Sequence, residues 1–182
     1  SGQFRCRSVN SKSKRKYMQN SFLNNFLKNW KSNGVYFDTL RVMASLSRLF
    51  SESKIPYIDY RLTENIFCQK FNALNDARDC TAYDARIGNL GIGIKTFTLK
   101  NDGSTEKIAE FNKLSKQLKK ISGKDLAIKI ALFRNERIDL ANRTYNTNEA
   151  IYHIIGRKER KLVVFNSPYE KIDIDKIKLE KD

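Results

Sequence analysis

Apolar residues in the N-terminal part of the chain recur at helical spacing. Aromatic side chains stand four residues apart at Phe22, Phe26 and Trp30, and this spacing predicts an amphipathic helix. Leucine, methionine and phenylalanine follow a similar spacing over residues 38–50, where Asp38 is a candidate N-cap for a second helix. Apolar stripes of this kind usually form core, so we expect both helices to pack on the rest of the fold.

The middle of the chain changes from a helical to an alternating pattern. A third helix is predicted over residues 61–74, with Thr63 as its candidate cap. Two β-strands are then predicted over 82–87 and 90–98, and the pair Gly88-Asn89 between them is suited to a two-residue hairpin turn. The two strands should therefore be antiparallel neighbours.

The C-terminal half predicts one more helix and three more strands. The helix covers residues 105–121, and the strands cover 125–133, 150–156 and 161–168. The last two strands flank a short polar stretch, which is typical of a β-hairpin or of two neighbouring strands. The fold class predicted is α+β and α/β/α-like: a mixed central sheet flanked by helices, with an N-terminal helical region.

The chain has 182 residues and a formal net charge of +15, which indicates a polyanion or an anionic surface as partner, although a solvated basic surface would give the same charge. Residues 1–37 contain eight Lys or Arg and no acid. We expect residues 1–20 to form a basic arm in which Arg15 and Lys16 contact nucleic acid, although a solvated terminus fits equally well. The remaining divisions predicted are N-terminal helices over 21–56 and a core over 57–182.

Cysteine usage and hydropathy bear on the cellular setting. The three cysteines are an odd number and form no pattern typical of zinc sites, so we expect neither a disulfide framework nor zinc, and a reducing, cytoplasmic environment. No apolar run in the sequence reaches membrane-spanning length. A membrane partner is therefore not expected.

Two charged side chains stand out in the predicted hairpin. If the turn closes at Gly88-Asn89, Asp84 faces Gly93, and Lys95 lies diagonally next to Asp84 on the same face. Gly93 would then leave a hole opposite the Asp84 carboxylate, and a divalent cation could occupy it. The plainer alternative is a cross-strand ion pair between Asp84 and Lys95.

A metal at this position needs a second acid, and two helices offer one. On the predicted helix 105–121, Glu110 lies at the edge of the apolar stripe, whereas Glu106 lies in the first turn, where the helix dipole explains a carboxylate. Glu64, on the predicted helix before the first strand, is a further candidate. The second ligand is thus Glu110 or Glu64.

An aspartate in one strand followed by a lysine in the next resembles the PD-(D/E)XK nuclease superfamily, which includes many type II restriction endonucleases. The resemblance covers roughly residues 60–133 and departs from the motif at Gly93, where the second acid is expected. Within the superfamily that acid can move to the following helix, which implies Glu110. The resemblance implies Mg²⁺, replaceable by Mn²⁺, bound by Asp84 and Glu110, with Lys95 assisting the attacking water and Glu64 a further catalytic acid.

The resemblance also implies a function and a partner. We expect a Mg²⁺-dependent endonuclease of restriction type, or its catalytic domain, acting on double-stranded DNA in a prokaryotic-like cytoplasm, as a homodimer or with further domains. Arg134, Arg137 and Arg143 lie in an Asn-rich polar stretch and are candidates for reading bases. His153, the single histidine, is expected to be structural. The alternatives are a non-catalytic basic module that binds nucleic acid, and a nuclease acting on RNA.

Overall fold

The computed structural model describes residues 21–77, 82–99 and 118–178. Within these residues four α-helices surround one sheet: α1 (Phe22–Asn29), α2 (Gly34–Leu46), α3 (Tyr60–Phe71) and α4 (Gly123–Tyr145). Short 3₁₀ turns follow α1 and α2 and precede the C-terminus of the described chain. The predicted helix 105–121, which carries Glu110, lies almost entirely outside the described residues.

The sheet has five strands in sequential order. They are β1 (Leu74–Asn75), β2 (Ala85–Ile87), β3 (Leu90–Thr98), β4 (Glu149–Lys158) and β5 (Lys161–Pro168). The β3–β4 pair is parallel and the other pairs are antiparallel. The sheet is therefore mixed, and the α+β class predicted from the sequence is confirmed, as is the N-terminal helical region.

Helices cover both faces of the sheet. Leu90, Ile92 and Ile94 of β3 share a buried cluster with the aromatic residues of α1–α3, including Phe26 and Phe67. Because side chains alternate along a strand, the intervening positions face the other way. On that face α4 contributes hydrogen bonds to residues of the sheet, as described below. The sheet is thus the middle layer of three.

The predicted strand over 125–133 and the polar loop after it are wrong, because both stretches belong to helix α4. The buried residues Ala127, Ala131, Ile138 and Ala141 recur at helical spacing. The isoleucines of this apolar run are typical of a buried strand, whereas the buried residues of the helix are mainly small alanines. Alanine is the strongest helix former, and the whole stretch is one helix.

Two predicted N-caps are also wrong. Helix α2 begins at Gly34 rather than at 38, and the Asn33 side chain accepts a hydrogen bond from the amide of Tyr36. In α3 the cap is Asp59, which accepts from the amides of the second and third following residues. Thr63 lies inside α3, and its hydroxyl donates to the Tyr60 carbonyl.

The predicted strand pair near the C-terminus is confirmed. Strands β4 and β5 are antiparallel and close at a two-residue turn between Lys158 and Lys161. Arg160 occupies that turn with a positive φ of 55°. In the part of the chain that the structure describes, no helix is long and apolar enough to span a membrane.

Candidate functional site

The predicted hairpin positions Asp84 at the start of β2. Ala85 pairs with Ile92, Arg86 with Gly91 and Ile87 with Leu90, as the turn chemistry indicates. The regular pairing ends there, because the amide of Asp84 donates to the Ile92 carbonyl instead of pairing with Gly93. Asp84 therefore stands at the point where β2 leaves β3. The next amide of β3, that of Ile94, has no backbone partner in β2.

The Asp84 carboxylate fills this gap in the sheet. Its Oδ2 accepts from the amide of Ile94 at 2.7 Å and from Nζ of Lys95 at 3.4 Å. The Asp84 side chain is 21% exposed and the Lys95 side chain 40%. The predicted contact between the two charges is present, and solvent can reach it.

Helix α3 brings a second carboxylate to the same place. The Glu64 side chain is only 7% exposed, and its Oε2 lies 3.2 Å from a guanidinium nitrogen of Arg61. Burial, followed by repulsion from Asp84, raises the pKa of Glu64. The positive charges of Arg61 and Lys95 oppose that shift. Glu64, Asp84 and Lys95 therefore interact directly through their charges.

A buried thiol lies beside these acids. Burial, together with the carboxylates of Asp76, Glu64 and Asp84, raises the pKa of Cys68 to about 11, so Cys68 is a neutral thiol at physiological pH. Cys68 is a free cysteine. Burial is the larger cause of this shift, and the charges of the three carboxylates add to it.

Asp76 is an acid that the sequence did not single out. Its side chain is 5% exposed and makes two contacts with the guanidinium of Arg86, one of them at 3.0 Å. Arg86 in turn stacks over the ring of Tyr145 in α4. The amide of Asp76 also donates to the Asp84 carbonyl. Asp76 thus anchors the backbone of Asp84, with its own charge compensated by Arg86.

The hole expected at Gly93 is filled by aromatic rings. A Cβ at Gly93 would lie 2.9 Å from ring atoms of Tyr152 and of Tyr169. The two rings stack with centroids 3.9 Å apart, and the Tyr169 hydroxyl donates to the Ala82 carbonyl. The two rings therefore occupy the space opposite Asp84 in which the sequence predicted room for a cation.

Arg134 belongs to the support behind these rings. It is 8% exposed, it donates to the Glu170 carbonyl at 2.8 Å and to the Tyr152 hydroxyl at 3.2 Å, and its guanidinium lies over the Tyr169 ring. Because these partners occupy a buried guanidinium, the expectation that Arg134 reads bases from a loop is wrong.

The other predicted nucleic-acid contacts have different surroundings. Arg143 is exposed in the last turn of α4, and Arg137 is partly exposed on the same helix rather than in a loop. Arg15, Lys16 and Glu110 lie outside the described residues. The structure thus brings together Asp84, Lys95 and Glu64 of the predicted set.

His153 is structural, as expected. It is fully buried, its Nδ1 lies 2.7 Å from Oδ1 of Asn166, and its Nε2 lies 2.8 Å from the Tyr36 hydroxyl. Since the Asn166 oxygen can only accept, Nδ1 carries the proton and Nε2 accepts from Tyr36. Burial lowers the pKa of His153 to about 4.

Among the described residues, no group of three or more His, Cys, Asp or Glu side chains is arranged to hold a metal ion. Glu64 and Asp84 supply two carboxylates, which is one acidic residue fewer than such a group requires. Comparisons with family models, with curated proteins and with solved structures found no match to this chain.

Proposed function

We propose that this protein is a Mg²⁺-dependent endonuclease that hydrolyses phosphodiester bonds of DNA. The observation that carries the proposal is the contact between Lys95 and Asp84 at the point where β2 leaves β3, together with the buried Glu64, whose charge interacts with both. The resemblance of the sequence to the PD-(D/E)XK superfamily gives these residue types a role. Restriction-type activity on double-stranded DNA is the finer form of the proposal.

The two carboxylates fit a hard divalent cation. Mg²⁺ takes oxygen ligands and commonly uses one or two carboxylates together with water and phosphate. Burial, and after it repulsion from Asp84, raises the pKa of Glu64, and a cation between the two acids would favour their ionised forms. Glu64 and Asp84 would hold the ion, with Glu110 as a third ligand. When bound, Mg²⁺ lowers the pKa of water and neutralises charge on the phosphate.

Lys95 is placed to act on the reacting water. Its ammonium is partly exposed beside Asp84, so it can donate to a water or to a phosphate oxygen at the mouth of the site. A fixed ammonium stabilises negative charge as it develops in the transition state. Its backbone pairs with Ile154 of β4 in the parallel ladder, which limits the positions that Nζ can reach.

A non-catalytic nucleic-acid-binding module is the second candidate. The contact that favours it is the hydrogen bond from the Ile94 amide to Asp84, because a carboxylate that completes a sheet has a structural reason to be present. In that function Lys95 and Glu64 would only balance charge. Both candidates share a nucleic-acid partner and differ in whether bonds are broken.

Cleavage of supercoiled and linear DNA tests the proposal. Wild-type protein should nick or cut DNA with Mg²⁺ or Mn²⁺ and lose that activity in EDTA. Lys95→Ala should reduce cleavage at least about a hundredfold, a loss typical of removing one charge-stabilising donor, while DNA binding stays within about tenfold.

A matched control is Lys171→Ala, which removes an equally exposed ammonium paired with Asp139 on α4 and should leave cleavage unchanged. Cleavage that persists in EDTA would refute the metal-dependent mechanism. Absence of cleavage of both DNA and RNA, with normal binding, would favour the non-catalytic module. Cleavage of RNA but not of DNA would show that the substrate is RNA, while the proposed metal-dependent chemistry would stand.

A further inference from the structure

A groove rimmed by positive charge lies on the opposite edge of the sheet from the candidate active site. It runs between α2 and the turn that joins β4 to β5, and the segment 47–56 closes one side of it. Its floor is apolar and includes Leu40, Leu162 and Val164. Six exposed cations line it: Lys31, Arg41, Arg48, Lys54, Arg160 and Lys161.

Little negative charge offsets these cations. Arg41 pairs with Asp38, and Lys54 lies 3.8 Å from Glu159, but all four side chains are more than half exposed. Exposed pairs of this kind contribute at most about 1 kcal/mol and exchange readily for another anion. Over the described ranges, the other four cations of the groove have no acidic partner.

The backbone under the groove is held in place. The amide of Arg160 donates to the Lys54 carbonyl at 3.3 Å, and the Arg157 guanidinium donates to the Pro56 carbonyl at 3.3 Å. The amide of Tyr57 donates to the Ser47 hydroxyl at 3.0 Å. The first two bonds tie the segment to the β4–β5 hairpin, and the third joins Tyr57 to Ser47, the C-cap of α2, so the cations are presented on a fixed frame.

Exposed aromatic rings accompany the cations. Phe50 is 88% exposed and Tyr57 is 60% exposed, and they lie in and next to the segment 47–56, beside the groove lining rather than in it. The Arg157 guanidinium lies 5.8 Å from the Tyr57 ring centroid, and most of the surface of both rings is open to solvent. Rings interleaved with Lys and Arg are typical of surfaces on which bases stack while phosphates bind the cations.

We propose that this groove binds the sugar–phosphate backbone of nucleic acid. The proposal rests on the proposed function for the class of partner, and it adds a surface that the candidate active site does not include. A concave channel between a helix and a hairpin admits a linear polyanion, whereas a flat anionic bilayer reaches only its rim. The basic groove therefore supplies affinity, and the Asp84–Lys95 region supplies chemistry.

The test is equilibrium binding in EDTA, where cleavage cannot interfere. A triple variant, Arg48→Gln, Arg160→Gln and Lys161→Gln, is compared with a control of equal charge loss, Lys119→Gln, Lys120→Gln and Lys124→Gln. Fluorescence anisotropy with a short labelled duplex and its single strand is measured across a range of salt.

The groove variant should bind roughly tenfold or more weakly, and the slope of log K against log salt should fall in magnitude by about 2 to 3, since each lost phosphate contact removes about 0.9 on duplex DNA. The control should change both quantities much less. A larger loss on the single strand would indicate stacking on Phe50 and Tyr57. Equal behaviour of the two triple variants would overturn the proposal.

Two further measurements keep the proposal testable if a variant is poorly folded. In wild-type protein, bound DNA should protect Lys54 and Lys161 from acetylation and leave Lys119 and Lys120 reactive; the reverse pattern overturns the proposal. Phosphatidylserine vesicles should bind both variants alike, and a defect confined to vesicles would assign the groove to membranes instead. If the groove binds DNA but the protein does not cleave it, the proposed nuclease function is wrong and the proposal for this surface stands.

Discussion

The single histidine predicts how the stability of the fold depends on pH. His153 is enclosed by aromatic rings, with the Phe67 ring centroid 4.9 Å away and that of Trp30 5.5 Å away. Protonating its Nε2 would remove the acceptor that the Tyr36 hydroxyl uses and would place a charge in the core. Burial accordingly lowers the pKa of His153 from 6.5 to about 4.

The magnitude follows from the linkage between protonation and folding. Above pH 6.5 His153 is neutral in both states, and its full contribution to stability is present. Below that pH His153 is protonated in the unfolded chain, whereas in the folded protein it stays neutral until about pH 4. Stability therefore falls by about 1.4 kcal/mol per pH unit in this range. The total loss is about 3 kcal/mol, which is a large part of the 5–15 kcal/mol typical of a domain.

Urea unfolding between pH 7.5 and pH 4.5 measures this loss, with His153→Gln as the matched variant. The variant is less stable overall, but its free energy of unfolding should vary less steeply with pH, because it lacks the titrating ring. Glu64, whose folded-state pKa is raised, acts with the opposite sign and is common to both proteins. NMR titration of the imidazole in wild-type protein reads the pKa directly.

Two results would refute the reasoning. Equal pH dependence in wild type and His153→Gln would show that the imidazole does not resist protonation. An NMR midpoint near 6.5 would show that water reaches the ring and that the core around it is open. Since the chain has one histidine, neither result could be attributed to another imidazole.

The remaining predictions concern the candidate site. In a thermal-shift assay, Mg²⁺ at ten times its dissociation constant should stabilise wild type by about 1.4 kcal/mol and should not stabilise Glu64→Gln. Without metal and above neutral pH, Glu64→Gln should be more stable than wild type. An equal Mg²⁺ shift in both proteins excludes Glu64 as a ligand. Gly93→Ala should cost about 1–3 kcal/mol through overpacking, whereas Gly34→Ala, with open space around its Cβ, should cost much less, and equal costs would contradict the filled space at Gly93. Glu110→Ala should abolish cleavage while Glu106→Ala leaves it near normal, and a fully active Glu110→Ala would leave Glu64 as the second acid.

Local turn chemistry explains what the sequence predicted well. Gly88 adopts the positive φ of 57° that a tight hairpin turn requires, and this alone sets the register from Ala85 to Ile92. The contact between Asp84 and Lys95 lies just beyond that register, where the Asp84 carboxylate accepts from the Ile94 amide and from the Lys95 ammonium. Interactions between residues close in sequence depend on few unknowns, so the charged pair could be identified without the fold.

Contacts between distant parts of the chain explain what the sequence missed. The rings of Tyr152 and Tyr169 fill the space at Gly93, and they come from strand β4 and from the residue just after β5. Nothing in the residues around Gly93 indicates which side chains will cover a bare stretch of strand. The carboxylate of Asp76 was missed for a related reason, since its importance depends on the pairing of β1 with β2, which brings Arg86 to it.

The filled space at Gly93 changes what the missing acid of the motif implies. Under the proposed nuclease function, a carboxylate at this position would be expected to point towards the metal. Here the same direction is occupied by two stacked tyrosines that Arg134 supports, so an acid at 93 would displace a packed aromatic pair. If the proposed metal binds, its second ligand must therefore come from outside β3. The buried Glu64 of α3, whose pKa is raised by burial and then by the charge of Asp84, is a candidate for that ligand among the described residues.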